Sequence, residues 1–196
     1  MSEPRQPRAA TAEKRTRLLD AAERIMLEDG YAAVTSRRVE ADAGLKLHYH
    51  FGSVDELFIA MVRRRGEHVV GLLGDALAAP EPLRAWWRLA SDRKGNRLLV
   101  EMTAAANHRP ALQSELGAFA REVRRMQIEA LEQILGEYGL DDDLFPPALV
   151  AAAVQGLGFV MAHDQVAGFD TAQDEATLAV HRLLESLEAR RVARRR

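Results

Sequence analysis

Apolar residues recur at helical spacing along almost the whole chain, and nowhere do Val, Ile and Thr alternate as in a half-buried strand. That single period confines the chain to helices packed on helices, an all-α fold. In the first stretch Leu18, Leu19, Ala22, Ile25 and Met26 fall on one stripe, while Arg17, Glu23, Arg24 and Glu28 face away. The punctuation agrees. Gly30 and Gly44 are end-cap residues, and Thr35 is a good N-cap for a short helix between them. Ser53-Val54-Asp55-Glu56 is a capping box, with a hydroxyl at the cap and a carboxylate three residues on. Pro80 and Pro82 interrupt the pattern, and Pro110 suits a first helical turn.

These signals predict about nine helices, near 11–29, 35–43, 45–51, 53–79, 83–90, 96–107, 110–139, 148–166 and 171–192, with short connections. At 196 residues the chain suffices for one large domain or two small ones. The absence of cysteine excludes disulfides and thiolate metal sites. A formal net charge of −2 excludes a chain coated in positive charge for indiscriminate polyanion binding, though not a local basic patch. The most apolar stretch, 148–162, falls short of the roughly 20 residues that span a bilayer. The first ten residues lead into charge, not into the apolar core of a signal peptide, so no membrane partner and a cytoplasmic location are expected.

A short helix, a glycine turn at Gly44 and a second short segment form a helix-turn-helix arrangement, in which one helix braces the phosphate backbone and the next reads the major groove. The residues go further than the topology. Leu18-Leu19-Asp20-Ala21-Ala22, Glu28-Asp29-Gly30-Tyr31, Thr35 with Val39, Ala43-Gly44-Leu45, and His48-Tyr49-His50-Phe51 with Ser53 and Leu57 follow one another in order. This run, about 12–65, resembles the N-terminal domain of TetR-type transcriptional regulators; the remainder resembles them only in length and helix count. The resemblance implies an N-terminal three-helix DNA-binding domain at 1–52 and a larger helical domain at 53–196 that binds a small-molecule effector and supplies a two-fold dimer contact. It implies a repressor released from a palindromic operator by a small lipophilic inducer, with no cofactor.

There are two departures from the family pattern. Only seven residues, 45–51, separate Gly44 from Gly52, fewer than the family has, and as helix they would extend about 10 Å. Val54 stands where the family often carries a phosphate-contacting lysine. The short segment leaves an alternative open: a dimeric ligand-binding or protein-interaction module that no longer reads DNA.

For DNA contact the candidates are Thr35, Ser36, Arg37 and Arg38 at a helix N-terminus, where hydroxyls, free amides and an arginine suit a phosphate. Two adjacent arginines there run against the helix dipole, which argues against a purely structural use. Lys46 can reach a guanine edge or a phosphate, Leu47 a thymine methyl, and His48, Tyr49 and His50 complete the reading segment. Phe51 reads as a core plug. Metal binding by His48 and His50 is not expected, because side chains two apart on a helix diverge. Arg5, Arg8, Lys14, Arg15 and Arg17 make a basic N-terminal arm, suited to a groove or simply solvated. Residues 1–65 carry a net +2 and the remainder −4, an asymmetry of the expected sign.

In the larger domain Trp86, Trp87, Met102, Met126, Phe159 and Met161 are candidate pocket walls, with Asn107, His108 and His163 as orienting polar groups. The same residue types at helical spacing also describe an ordinary core. The mixture fits a lipophilic, neutral or anionic molecule. Small residues Ala148, Ala152, Gly156 and Gly158, followed by an amphipathic stretch with Leu178, Val180, Leu183, Leu184 and Leu187, suggest that the last two helices pair with their symmetry copies in a homodimer. The residues from 190 onward read as a solvated basic tail. No catalytic residues are assigned: there is no P-loop, nucleophile elbow, dinucleotide fingerprint or Glu-x-x-His pair, so an enzyme is not expected.

Overall fold

The computed structural model describes residues 6–140, 143–166, 168–169 and 173–194. Within them run eight α-helices: α1 (Gln6–Asp29), α2 (Ser36–Ala43), α3 (Val54–Leu77), α4 (Pro82–Ala90), α5 (Arg93–Ala106), α6 (Pro110–Tyr138), α7 (Pro147–Val166) and α8 (Gln173–Arg194). The all-α reading holds, with eight helices where nine were expected. The missing one is the reading segment. In place of a helix over 45–51 there is a single 3-10 turn, Leu47–Tyr49, entered through an extended Lys46. His, Tyr and Phe lose rotamer freedom in a helix, and Gly52 follows at once, so nothing local extends the turn. α1 starts earlier than its expected onset near residue 11, because the Ala-rich stretch behind Pro7 propagates helix from a proline tolerated in the first turn.

The capping signals are realised. Gly44 closes α2 at φ +65°, a conformation that a Cβ would strain, and donates its N–H to the Glu40 carbonyl at 2.9 Å. At the start of α3 the Glu56 N–H donates to Ser53 Oγ at 3.1 Å, and the Glu56 carboxylate reaches back to the Gly52 N–H at 2.9 Å. The reciprocal bond therefore falls one residue earlier than in the simplest capping box.

Two compact units make up the chain, 1–67 with 97–119 and 68–96 with 120–196. The first extends past the motif boundary at residue 52, because the apolar stripe of α3 closes its core. Leu18, Ala22, Ile25 and Met26 of α1 pack there with Val39, Leu47, Phe51, Leu57, Phe58 and Met61, and with Leu98, Met102 and Leu112. Each such fully buried side chain is worth about 1.5–3 kcal/mol.

The core of the second unit gathers Leu73, Trp86, Trp87, Leu131, Leu135, Tyr138, Ala151, Met161 and Leu184. Its polar members lie at the end of α8, where a solvated tail was expected. Arg191 is buried: its Nε donates to Glu137 at 2.7 Å, another nitrogen donates to the Pro80 carbonyl, and the guanidinium packs on the Tyr138 ring. The Tyr138 hydroxyl donates to the buried Glu188 carboxylate at 2.9 Å. Burial first, and then that hydrogen bond, push the phenol well above its ordinary range. The helical phase of α8 turns Arg191 inward with Leu184 and Glu188, which a count of arginines in a tail does not reveal.

Gly158 of α7 fixes the approach of α4, since a Cβ there would lie 2.6 Å from the Ala90 carbonyl oxygen. Backbone cannot yield as a flexible side chain does. Gly158→Ala is therefore expected to destabilise the fold by roughly 1–3 kcal/mol in urea unfolding, against the gain from helix propensity.

Candidate nucleic-acid interface

The N-terminus of α2 and the 3-10 turn carry the residues expected to meet DNA, and the structure sorts them into free, engaged and buried. Thr35 is the N-cap of α2, its hydroxyl accepting from the Arg38 N–H at 3.4 Å. Ser36, half-buried, stands 3.4 Å from Glu40 through its hydroxyl. Arg37 is exposed and has no ion-pair partner among the described residues, whereas the Arg38 guanidinium is paired with Asp29. The two adjacent arginines are thus not equivalent. Arg37 alone presents an unengaged charge.

Past Gly44 the backbone turns sharply, and Glu40 holds the turn from α2. Its carboxylate accepts the Leu47 N–H at 3.0 Å and the Lys46 Nζ at 2.8 Å. The hydrogen bond from Lys46, then that from the Leu47 amide, hold the Glu40 carboxyl below the ordinary carboxylate range, and the same contact raises Lys46. Sequence reasoning missed Glu40. Its signal was a carboxylate on the last turn of α2, four residues before the glycine that starts the reading segment.

Leu47, offered above as a thymine contact, is buried in the core of the first unit and is turned away from any base. Its place in the motif is that of an anchor, with Phe51 four residues on as the expected core plug. Outward lie His48 and Tyr49, whose rings meet with centroids 4.1 Å apart. Tyr49 is 76% exposed, the largest value among the exposed large hydrophobic side chains of the described residues. His50 is half-buried, and its Nδ1 is enclosed without a hydrogen-bond partner.

Two residues of the basic arm, Arg15 and Arg17, are spent on structure. Arg15 donates to the His50 carbonyl and lies over the Phe51 ring, its guanidinium carbon 4.1 Å from the centroid. Arg17 donates to the Ala43 carbonyl at 2.7 Å, and Arg24 pairs with Asp42. Arg5 and the side chain of Arg8 lie outside what the structure describes. These clamps tie α1 to both ends of the turn, which gives a one-turn reading segment the rigidity that a longer helix would have by itself. Glu101 of α5 adds another tie, accepting the Tyr31 N–H at 2.7 Å.

Electrostatically the face is mixed. Asp29, Glu40 and Asp42 hold Arg38, Lys46 and Arg24, so an incoming phosphate competes with a carboxylate for every one of those cations. Exposed pairs of this kind are worth little and give way readily. The expected pocket residues do not form one group within either unit. Met102 packs in the first core, with Asn107 and His108 exposed in the same unit; Trp86 and Trp87 are buried in the second, where Met126 and Phe159 are half-buried and His163 is exposed. Phe159 and His163 stack with centroids 6.3 Å apart. Among the described residues no three His, Asp or Glu side chains gather to hold a metal, and no helix is long and apolar enough to cross a membrane.

The family model described as bacterial regulatory proteins of the TetR family matches residues 18–61, the stretch from the first buried leucines of α1 to the middle of the α3 stripe. The multidrug binding protein EbrR, in a structure complexed with ethidium, is similar over 87% of this chain and 98% of its own, at 30% identity and a TM-score of 0.53. This chain belongs to the TetR family. Its fold is shared with a TetR-family transcriptional regulator from Rhodococcus sp., at 16% identity over 91% of this chain and 99% of that one, TM-score 0.68. Salmonella enterica GusR is similar at 16% identity over 93% of each chain, TM-score 0.62. No curated protein matches the sequence. A TetR-family chain is a DNA-binding transcriptional regulator.

Proposed function

We propose that this TetR-family chain is a homodimeric, ligand-responsive repressor that leaves a palindromic operator when a small molecule binds. The segment 1–52 reads DNA, and 53–196 carries the ligand and dimer contacts. The observation that carries the reading is the outward display of Arg37, Lys46, His48 and Tyr49 around a turn clamped by Glu40, Arg15 and Arg17. Thr35 and Ser36, with the first amides of α2, receive a phosphate; Arg37 neutralises it; Tyr49 donates to a neighbouring one. Lys46 exchanges Glu40 for a guanine edge or a phosphate.

For dimerisation the support is the surface of the last two helices. Leu149, Ala152, Gly156 and Val160 form an exposed apolar stripe along α7, and Leu178 and Leu183 are exposed on α8. Two copies of that surface make a four-helix contact. EbrR, a multidrug binding protein solved with ethidium and with imidazole, supports a small lipophilic effector for the larger domain. The effector acts by binding better to a dimer whose heads no longer match successive major grooves, about 34–36 Å apart.

The single 3-10 turn favours a second reading, a dimeric ligand-binding module without DNA recognition. A gel shift against the DNA upstream of the chain's own gene separates the two. Arg37→Ala is expected to weaken that complex about tenfold and to lower its salt slope by about 2 per dimer, one phosphate per half-site. Arg38→Ala loses less, because Asp29 already holds that charge. Asp29→Asn frees it and tightens binding. Equal losses at 37 and 38 with an unchanged slope would count against the placement of the α2 N-terminus on phosphate.

A further inference from the structure

Between Gly44 and Gly52 few side chains are free to meet a base. Leu47 and Phe51 are buried, and Leu45 packs against the same core. His50 is half-buried, and its carbonyl accepts from Arg15. Gly52 brings no side chain, and Ser53 is taken up in capping α3. What stays exposed is Lys46, His48 and Tyr49. The rings of His48 and Tyr49 lie 4.1 Å apart between centroids, tilted by 44°, so they present one aromatic plate instead of two independent contacts. The segment thus offers two contact groups: an ammonium with three donors and no acceptor, and an aromatic surface with a hydroxyl at its rim.

Length sets the same limit. A 3-10 turn rises about 2 Å per residue, so the three residues Leu47–Tyr49 extend about 6 Å. Base pairs stack about 3.4 Å apart, and that length covers about two of them. Arg17 and Arg15 tie the segment to α1 at its start and its end, and Glu40 ties it to α2, which opposes drawing it out along a groove. From this we infer that the head reads only about two base pairs of each half-site directly, one through Lys46 and one through the His48–Tyr49 plate. This rests on the DNA-reading assignment above and specifies the class of operator. Lys46 only donates, so its base is guanine, whose N7 and O6 both accept in the major groove. The plate has no amide fork of the kind that pairs with adenine, and its apolar surface matches a thymine methyl, the role that the buried Leu47 cannot fill. Four directly read base pairs per dimer are too few to single out one site among the roughly 10⁶ or more that a genome offers. The remaining selectivity comes from the distance between half-sites, which the dimer fixes, and from the ease with which the DNA between them deforms.

The test is selection from a fully randomised duplex library with the full-length protein, followed by gel shifts of the enriched sites. Two specified positions per half-site are expected, a guanine and a thymine, repeated across a dyad. Exchanging either should cost about 5- to 150-fold, the ordinary range for one mismatch. Inserting one base pair between the half-sites should cost as much, although no side chain touches it. Lys46→Ala should erase the guanine preference and leave that for thymine. Lys46→Gln should move it to adenine, whose N6 and N7 suit an amide. The Lys46 side chain is 65% exposed, so neither variant disturbs the core. Arg37→Ala, by contrast, should weaken all sequences alike.

Two results would overturn the inference while leaving the repressor reading intact. One is a half-site with four or more consecutive specified base pairs, since three exposed side chains cannot read them. The other is a guanine preference that survives Lys46→Ala. A wild type that retains no library member even at low salt gives a different pattern: it removes the repressor reading itself, and the short half-site with it.

Discussion

Gly156→Arg is expected to yield a folded monomer that binds operator about 10²–10⁴-fold more weakly than the wild type, because a dimer engages its second half-site intramolecularly. The position separates folding from assembly. Nothing lies within 4 Å of a Cβ built at Gly156, so an arginine meets open space in the single subunit. Its neighbours on the stripe, Ala152 and Val160, are exposed as well. Within the monomer the change exchanges a poor helix former for a good one, a gain of about 0.5–1 kcal/mol. In the proposed dimer it places a charge and a long side chain in a contact lined by small apolar residues, where an unpaired ion costs several kcal/mol. The single subunit should therefore stay folded while operator affinity falls. Sedimentation at micromolar protein reads the oligomer directly. A dimer that survives the substitution would remove α7 from the interface.

Two glycines two residues apart thus carry opposite predictions, which shows what the sequence could and could not convey. The composition of 148–162 announced close helix packing without saying on which side. Gly158 faces Ala90 within its own unit, and Gly156 faces away. Helical phase divides them, and phase is legible only once the core partner is known. The same limit governed the last turn of α8, where Arg191 and Glu188 lie on the buried phase while Arg190 and Val192 do not.

Capping residues were legible because their chemistry is local. Thr35, Gly44 and Ser53 each ended or began an element as their side chains required. The reading segment was legible as short, but not as a 3-10 turn, since Leu47 and Phe51 satisfy a helical stripe and a single turn equally well. Long-range partners were not legible at all. Arg15 on the His50 carbonyl and Glu101 on the Tyr31 amide depend on tertiary closure that no local pattern encodes.

Glu40→Ala and Glu40→Gln are expected to change operator affinity in opposite directions, and this pair decides what holds the reading turn. As a bare charge Glu40 opposes DNA: it sits among the cations of the head and occupies Lys46. On that view alone, any neutral replacement should tighten binding. The geometry adds a second role, since its carboxylate accepts the Leu47 N–H and so fixes where the 3-10 turn begins. Alanine removes both the charge and the acceptor. The amide of Leu47 then loses its partner, Lys46 its anchor, and His48 and Tyr49 their fixed direction, so binding should fall by about tenfold or more, the scale of a misplaced base contact. Glutamine keeps an acceptor for Leu47, releases Lys46 to the DNA and removes the repulsion, so binding should equal or exceed that of the wild type.

The pH dependence follows from the same carboxylate. Because Lys46 and then Leu47 hold its pKa below the ordinary value, the stabilisation is complete above the ordinary carboxylate range and is lost as pH falls through the lowered value. Operator binding should thus show no contribution from Glu40 titration between about pH 6 and 8, well above any carboxylate of this kind. Gel shifts of both variants at neutral pH suffice. If alanine and glutamine both tighten the complex, Glu40 is only a screening charge, and the turn owes its shape to Leu47 and Phe51 in the core.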